Sequence, residues 1–375
     1  MKQRRILAVI LALVIAAGVF VFFGTRKDNS RGLVTLWYEK GSPLAGEIEK
    51  LAESYNSDMT RETLPVETKC FENEEALAAA YETGTPDILL CTHLRAFSLH
   101  QREKLTDISG EKNFVFPGYS QSVQSRNSSI GKSFFPLGLS VPVMVINNAL
   151  ISQRSFADFE EVFSQAAAYT KRSGKPFLIC DNISELGCVY MLRFGEEFDG
   201  KMEELSGKPR LLSLYNIFAE AAFDGCVSFP GKNGIKYFVN GAVPCMFTDS
   251  DKLQGIGLDA VTVCELPSPE GSVNSDTVGT AYGLAVTNGG CRSKGDTAAF
   301  ISWVFSEKRS AHAALACMLS PLTEGGEALA GSVDALLNDA VKDKLVTLPT
   351  PDSDYILNKT GFEESFLKEM ERLMP

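Results

Sequence analysis

An apolar run at residues 133–150 restricts the folds open to this chain more than any other stretch of its sequence. The run contains Pro136 and Pro142, and proline removes a backbone donor and clashes with the preceding helical turn, so one long helix is excluded. A bent, extended segment that passes from one sheet to another fits both the apolar residues and the prolines. We therefore predict that residues 133–150 form a hinge strand.

Length and composition predict a folded protein with two domains. The chain has 375 residues, which is more than one hydrophobic core usually serves and suits two domains of about 150 residues each. Hydrophobic residues make up 45% of it and charged residues 22%, the balance of a globular protein. The net charge is −11, and lysine and arginine cluster only at the extreme N-terminus, so we expect no nucleic-acid partner.

The N-terminus carries an export signal. Lys2, Arg4 and Arg5 precede residues 6–23, an uninterrupted apolar segment of 18 residues. That length exceeds the usual hydrophobic core of a signal peptide and just spans a membrane. We prefer an uncleaved signal anchor to a signal cleaved near residues 16–18. The first interpretation tethers the protein to the cytoplasmic membrane at the cell surface or in the periplasm, and the second predicts a secreted protein.

The cysteines and histidines do not form a metal or redox motif. There are 9 cysteines and 3 histidines, and no pair of cysteines has C-x-x-C spacing, so neither a zinc site nor a thioredoxin-like site is expected. An odd number of cysteines cannot pair completely. Most of them lie in apolar runs, where a thiol behaves as a small hydrophobic group. We expect mainly reduced core thiols, and a disulfide between Cys180 and Cys188 stays open.

Alternating strand and helix patterns predict a parallel sheet in the first third of the chain. The predicted elements there are strands at 33–37, 66–70 and 87–91 and helices at 44–55 and 73–81. Beyond the hinge, Ser155 to Asp158 resembles a capping box that opens a helix ending at Gly174. Further strands are predicted at 176–180, 243–247 and 261–266, and residues 279–287 are a second hinge candidate.

Catalytic motifs are absent or lack the context they need. Gly131-Lys132-Ser133 looks like the end of a phosphate loop, but Arg126 occupies the position of its first glycine. The glycines of residues 255–260 precede a β-branched strand rather than a helix, so a pyrophosphate would find no helix N-terminus there. We expect no enzyme activity, no cofactor and no metal, and an exported enzyme is kept only as a minor alternative.

An ordered set of short segments resembles the extracellular solute-binding proteins of ABC importers, in the family that includes maltodextrin-binding proteins. The resemblance covers about residues 32–345, and its segments are 33–41, 81–90, 105–108, 135–137 leading to 146–148, 156–159, 238–242, 265–267 and 282–286. It implies an α/β, two-lobed periplasmic-binding-protein-like fold, in which two mixed sheets flanked by helices are joined by a multi-strand hinge.

The resemblance also implies a domain organisation and a function. The anchor predicted from the apolar segment takes residues 1–30. The resemblance places lobe one at 31–138, lobe two at 139–278, the return to lobe one at 279–330 and C-terminal helices, packed mainly on lobe two, at 331–375. Members of this family are monomers that capture a small solute by hinge closure and deliver it to ABC permease subunits. For this chain we expect the solute to be a sugar. The alternative is a membrane-anchored sensing module that presents its liganded state to a receptor.

Candidate ligand contacts follow from matching family positions to this sequence. They lie after the first and third strands, at the crossover, at the end of a lobe-two strand and at the return hinge, where aromatic rings stack on sugars and carboxylates bind hydroxyls. The predicted residues are Trp37, Tyr38, Glu39, Lys40, Thr92, His93, Arg95, Ser140, Phe247, Thr248, Asp249, Tyr282 and Gly283. An alternative for the first strand is that Trp37 packs in the core, leaving only Tyr38 or Glu39 free.

Overall fold

The structure is a computed structural model that describes residues 32–58, 63–112, 114–119, 123, 129–195, 209–230, 233–254, 256–257, 260–288, 294–306, 317–322 and 346–347. Within these ranges no helix has the length and apolar character needed to cross a membrane. The predicted anchor at 1–30 lies outside the described residues, as do the predicted C-terminal helices of 331–375 apart from residues 346–347.

The described elements alternate between strands and helices. In chain order they are β1 (Val34–Glu39), α1 (Ala45–Asp58), β2 (Val66–Phe71), α2 (Glu74–Thr83), β3 (Ile88–Thr92), α3 (His93–Gln101), β4 (Phe134–Ser140), β5 (Pro142–Asn147), α4 (Phe159–Ser173), β6 (Leu178–Cys180), α5 (Ile183–Arg193), α6 (Pro209–Phe223), β7 (Val227–Ser228), α7 (Gly234–Val239), β8 (Cys245–Asp249), a 3₁₀ turn (Ser250–Leu253), β9 (Val261–Cys264), β10 (Thr277–Val278), β11 (Thr280–Val286), α8 (Lys294–Val304) and β12 (Val346–Thr347).

Two five-stranded mixed sheets organise the molecule, in the orders β2-β1-β3-β11-β4 and β7-β6-β8-β5-β9. In each sheet the first three strands are parallel, and the last two join by antiparallel pairing. We call the first sheet with α1–α3 and α8 the first lobe, and the second sheet with α4–α7 the second lobe. The α/β class and the mixed sheets predicted from the sequence are confirmed.

The proline-interrupted run connects the two sheets, as its sequence predicted. Strand β4 ends at Ser140 in the first sheet and β5 begins at Pro142 in the second, so Val141 alone separates them. The second hinge candidate, residues 279–287, becomes β11, which carries the chain back between β3 and β4. Ser140 pairs with Thr280 across the two crossing strands.

Buried Arg193 fixes the loop that leads into the return strand. Its guanidinium donates to the carbonyl oxygens of Leu266 and Pro267, both at 2.9 Å, and to that of Asp276 at 3.2 Å. The side chain is 2% exposed, and burial lowers its pKa, although the charges of Glu265 and Asp276 oppose that shift. One cation thus satisfies several carbonyl groups of a loop that has no regular structure of its own.

Helix α4 begins with a capping box three residues later than predicted. Asp158, not Ser155, is the N-cap, and its carboxylate accepts from Glu161 N at 2.8 Å. The Glu161 carboxylate reaches back to Ala157 N, also at 2.8 Å. The helix ends at Gly174 in the left-handed conformation (φ 66°), as predicted.

None of the eight described cysteines forms a disulfide, and most of them are buried. Cys180 and Cys188 both belong to the second-lobe core and do not form the disulfide that the sequence left open. Burial raises the pKa of the Cys91 and Cys264 thiols to about 12, which keeps them protonated at neutral pH.

Candidate ligand-binding cleft

The carboxyl ends of the parallel strands in the two sheets face one another. Strands β1 and β3 end at Glu39 and Thr92 in the first lobe, and β8 ends at Asp249 in the second. The turns beyond these ends meet directly, because Gln254 Nε2 donates to the carbonyl oxygen of Pro43 at 3.1 Å. Open α/β sheets bind their ligands at the carboxyl ends of their strands. We call the space between these ends the cleft.

Tyr282 lines the cleft on its first-lobe side. It is partly buried on β11, where it pairs with Thr92 of β3 and Gly138 of β4. Its pKa is raised, first by burial and then by the negative charges of Asp251 and Asp249 from the second lobe, with smaller contributions from Glu185 and Glu39. The charges of carboxylates from both lobes therefore act on one phenol.

A cavity of about 190 Å³ opens beside Tyr282 on the first-lobe side. Glu39 lines it and is half-buried; burial and the like charge of Glu74 raise the Glu39 pKa, and Arg95 opposes the shift. Arg95 itself is engaged by Glu74, with Nη1 and Oε1 at 2.6 Å. The lining residues are Glu39, Gly41, Ser42, Pro43, Glu74, Leu77, Leu90, Cys91, Thr92, Arg95 and Tyr282.

The second-lobe wall is a hydrogen-bonded cluster at the ends of β6 and β8. Asn182 Nδ2 donates to Asp249 Oδ2 at 2.6 Å, and Lys252 Nζ lies 2.8 Å from Asp181 Oδ2 and 3.4 Å from Asp249 Oδ2. Burial lowers the Lys252 pKa, but the nearby aspartates outweigh burial and the net shift is upward. Thr248 Oγ1 also donates to Asp181 Oδ2, at 3.1 Å.

Asp251 links this wall to the crossover. Its carboxylate accepts from Ser140 Oγ at 2.6 Å, and Ser250 Oγ accepts from Val141 N at 3.1 Å. Burial and the charge of Asp249 raise the Asp251 pKa to about 6, while Ser140 and Lys252 pull it down. At neutral pH Asp251 is therefore mostly ionised, beside the point where the two sheets join.

Comparison with known proteins points to one fold. No family model and no curated protein matches the sequence. Among solved structures, a cyclic alpha-maltosyl-1,6-maltose binding protein from Arthrobacter globiformis matches with a TM-score of 0.71 and 14% identity, over 91% of this chain and 94% of the other. The GacH receptor of Streptomyces glaucescens, solved without ligand and with acarbose, matches with a TM-score of 0.71 and 14% identity, over 90% and 99%.

A third match binds a different class of solute. The spermidine/putrescine substrate-binding protein of an ABC transporter from Streptococcus pneumoniae has a TM-score of 0.61 and 13% identity, over 91% of this chain and 99% of the other. The chain has the fold of an extracellular solute-binding protein. At the level of the fold, this confirms the resemblance that the ordered sequence segments indicated.

Within this solute-binding-protein fold, some predicted contacts come together and others do not. Glu39, Thr92, Arg95 and Tyr282 line one cavity. Asp249 lies on the opposite wall, and Ser140 holds Asp251. Lys40 instead forms a surface ion pair with Glu72 at 3.1 Å.

Several predicted contacts are packed inside a lobe. Tyr38 is 1% exposed and hydrogen-bonded to Glu49, and Phe247 is 2% exposed among Phe159 and Phe218. Successive strand residues point to opposite faces, so Tyr38 and Phe247 turn into the cores while Glu39 and Thr248 point the other way. In this structure the side chains of Tyr38 and Phe247 therefore lie in the lobe cores and do not line the cleft.

Trp37, His93 and Gly283 also have structural roles. Trp37 is partly buried against Phe71, at 5.1 Å between ring centroids, with Lys69 Nζ 4.9 Å from its ring. His93 is 3% exposed in the first turn of α3. At Gly283 an added Cβ would lie 2.4 Å from the carbonyl oxygen of Phe135, so the glycine permits the close approach of β11 to β4.

Sequence reasoning missed the polar residues that follow the second-lobe strands. Asp181 and Asn182 come directly after β6, and Asp251 and Lys252 follow β8 in the 3₁₀ turn. The rule that ligands bind beyond the carboxyl ends of strands could have found them, had it been extended two or three residues past each strand. Ser42, in the turn after β1, was missed in the same way.

Proposed function

We propose that this chain is the substrate-binding component of an ABC importer, which captures a small solute in the cleft and delivers it to membrane permease subunits. The observation that supports it most is Tyr282, which lines the first-lobe cavity with Glu39 and whose pKa is raised by the charges of Asp249 and Asp251 from the second lobe. A ligand there contacts both lobes, so it favours their closed arrangement by its extra affinity for that state.

A carbohydrate is the solute class that we propose first. Sugars present hydroxyl groups that carboxylates and amides bind, and an aromatic ring such as that of Tyr282 packs against the apolar face of a pyranose. Glu39, Asp249 and Asn182 supply such polar groups from both walls. Two sugar-binding proteins whose structures have this fold support the choice.

We also propose how the chain is divided into lobes and how it is attached to the membrane. Lobe one is proposed to comprise 31–138 and 279–330, and lobe two 139–278, with 331–375 packed on lobe two. The N-terminal segment anchors a monomer to the outer side of the cytoplasmic membrane. The protein binds and releases its solute without chemical change, since transport energy comes from the importer's ATPase.

Thermal unfolding of the full chain in a mild detergent tests this function. The panel contains mono- and oligosaccharides, amino acids, polyamines and oxyanions. A ligand at about 100 times its dissociation constant adds roughly 2.7 kcal/mol to the free energy of unfolding, which raises the midpoint visibly. We expect one solute class to do so, and Asn182→Ala to weaken the shift while the exposed Glu72→Gln leaves it unchanged. A cooperative melt that no compound shifts would contradict solute capture.

A further inference from the structure

The cations described in the cleft are already engaged by carboxylates. Arg95 Nη1 lies 2.6 Å from Glu74, and Lys252 Nζ contacts both Asp181 and Asp249. Two further carboxylates, those of Glu39 and Asp251, have no ion pair within the 4.0 Å limit of such contacts in the described part of the chain. The cleft therefore holds more negative charge than its own cations neutralise.

Glu39 contributes one of these charges from the first lobe. Its carboxylate lines the cavity and accepts no hydrogen bond from any described residue. The like charges of Glu74 and Glu75 act on it, and Arg95 only partly offsets them. A half-buried carboxylate in this setting is stabilised by any cation that enters the cavity.

Asp251 contributes the second charge from the opposite lobe. It accepts one short hydrogen bond from Ser140 Oγ, at 2.6 Å, and the nearby Asp249 repels its charge. Ser140, which donates to Asp251, pairs with Thr280 two residues before Tyr282 on β11, and Tyr282 lines the cavity with Glu39. The two carboxylates therefore lie near the same stretch of β11, one from each lobe. Closure around a neutral solute would bring these like charges together in a drier space, which is unfavourable.

We propose that the cleft binds a solute bearing an ammonium group, an amine or an amino sugar, with Glu39 and Asp251 as its counter-ions. This inference rests on the proposed function. The position of the site follows from the carboxyl ends of the strands and from the cavity, and the carboxylates of Glu39 and Asp251 indicate only the charge of its ligand. The carboxylates of Glu39 and Asp251 repel each other, and an ammonium group between the lobes would attract both of them. Ser42 Oγ, buried in the cavity wall with no hydrogen-bond partner among the described residues, is a further acceptor for its N–H groups.

Calorimetric titration of the full chain with matched pairs of solutes tests the inference. One pair is glucosamine and glucose, and the other is putrescine and 1,4-butanediol. In at least one pair we expect the cationic member to bind about tenfold or more tightly than its neutral partner. Raising the salt concentration should weaken the binding of the cation and leave that of a neutral solute unchanged.

Variants separate this inference from solute capture in general. Glu39→Gln and Asp251→Asn should each weaken binding of the cation about tenfold, and the exposed Glu72→Gln should have no effect. Circular dichroism checks that each variant is folded. Equal or tighter binding of the neutral member overturns the ammonium assignment and leaves solute capture standing. No binding by any of the four compounds also overturns it, and the wider panel then decides on solute capture separately.

Discussion

Gly283 lies where β11 passes close to β4 and the register of the two strands shifts. The sequence predicted Gly283 as a ligand contact beside Tyr282, and that contact stays a prediction. A family resemblance locates a hinge segment, but it does not distinguish a residue that touches ligand from one that lets two backbones approach. That distinction depends on a distance between strands that are far apart in the chain.

Replacement of Gly283 by alanine should destabilise the protein. The new Cβ would lie 2.4 Å from the Phe135 carbonyl oxygen, and backbone atoms cannot move aside as a flexible side chain does. We expect the free energy of unfolding to fall by about 3 kcal/mol, measured by urea denaturation. Gly46→Ala is the matched control, since an added Cβ there meets nothing within 4 Å, and it should leave stability unchanged or slightly raised. Equal stability of the two variants would contradict the close approach.

Asp251 should make the protein less stable as pH rises. Its folded-state pKa of about 6 exceeds the ordinary value of 3.8, so the folded protein holds the proton more tightly than the unfolded chain does. Protonated Asp251 therefore adds to the free energy of unfolding below pH 4, and this contribution is lost as the pH rises through 6. The groups facing Asp251 are Asp249, Lys252, Ser140 and Tyr282.

The variant Asp251→Asn cannot ionise and should escape this loss. Compared with the unchanged protein, its advantage in free energy of unfolding should be small at pH 4 and reach up to about 3 kcal/mol at pH 7. Loss of the attraction to Lys252 reduces that figure. Denaturation at both pH values measures it, and an advantage that stays constant from pH 4 to pH 7 would refute a raised Asp251 pKa.

At the scale of elements, the hydrophobic pattern of the sequence predicted where the strands and the hinge lie. It did not predict which face of each strand packs against helices. The prolines of the crossover run exclude a helix, and alternation marks β1 as a strand, but alternation alone does not say whether Tyr38 or Glu39 turns inward. Helices packed on the sheet decide that, and they lie elsewhere in the chain. Helix α5 was missed because nearly all its residues are buried, so it lacks the polar face that helical periodicity requires.

The loop before the return strand should depend on Arg193. Arg193→Met removes the donors that satisfy the carbonyl groups of Leu266 and Pro267, leaving them buried without partners. We expect the free energy of unfolding to fall by about 3 kcal/mol. Arg154→Met is the control, because Arg154 is exposed, and it should change stability by no more than about 0.5 kcal/mol. If both variants unfolded at the same denaturant concentration, Arg193 would not hold the loop.

At the scale of the whole molecule, two sheets with the same strand arrangement are connected by β4 leading into β5 and by the return strand β11. The sequence predicted this architecture. It predicted the first-lobe side of the cleft better than the second, because Glu39, Thr92 and Arg95 follow strands closely in the chain. The second-lobe groups, Asp181 and Lys252, meet only after β6 and β8 pair, and that pairing joins segments 67 residues apart. Such contacts follow from the folded topology rather than from any local motif.

Hydrogen exchange of the full chain, with and without a solute that raises its unfolding midpoint, tests most directly whether one ligand is held by both lobes. We expect slower exchange in two separate segments, the turn after β1 at residues 40–44 and the turn after β8 at 250–254, with residues 168–173 of α4 unchanged as an internal reference. Protection confined to one of the two turns, or absent from both, would contradict capture between the lobes.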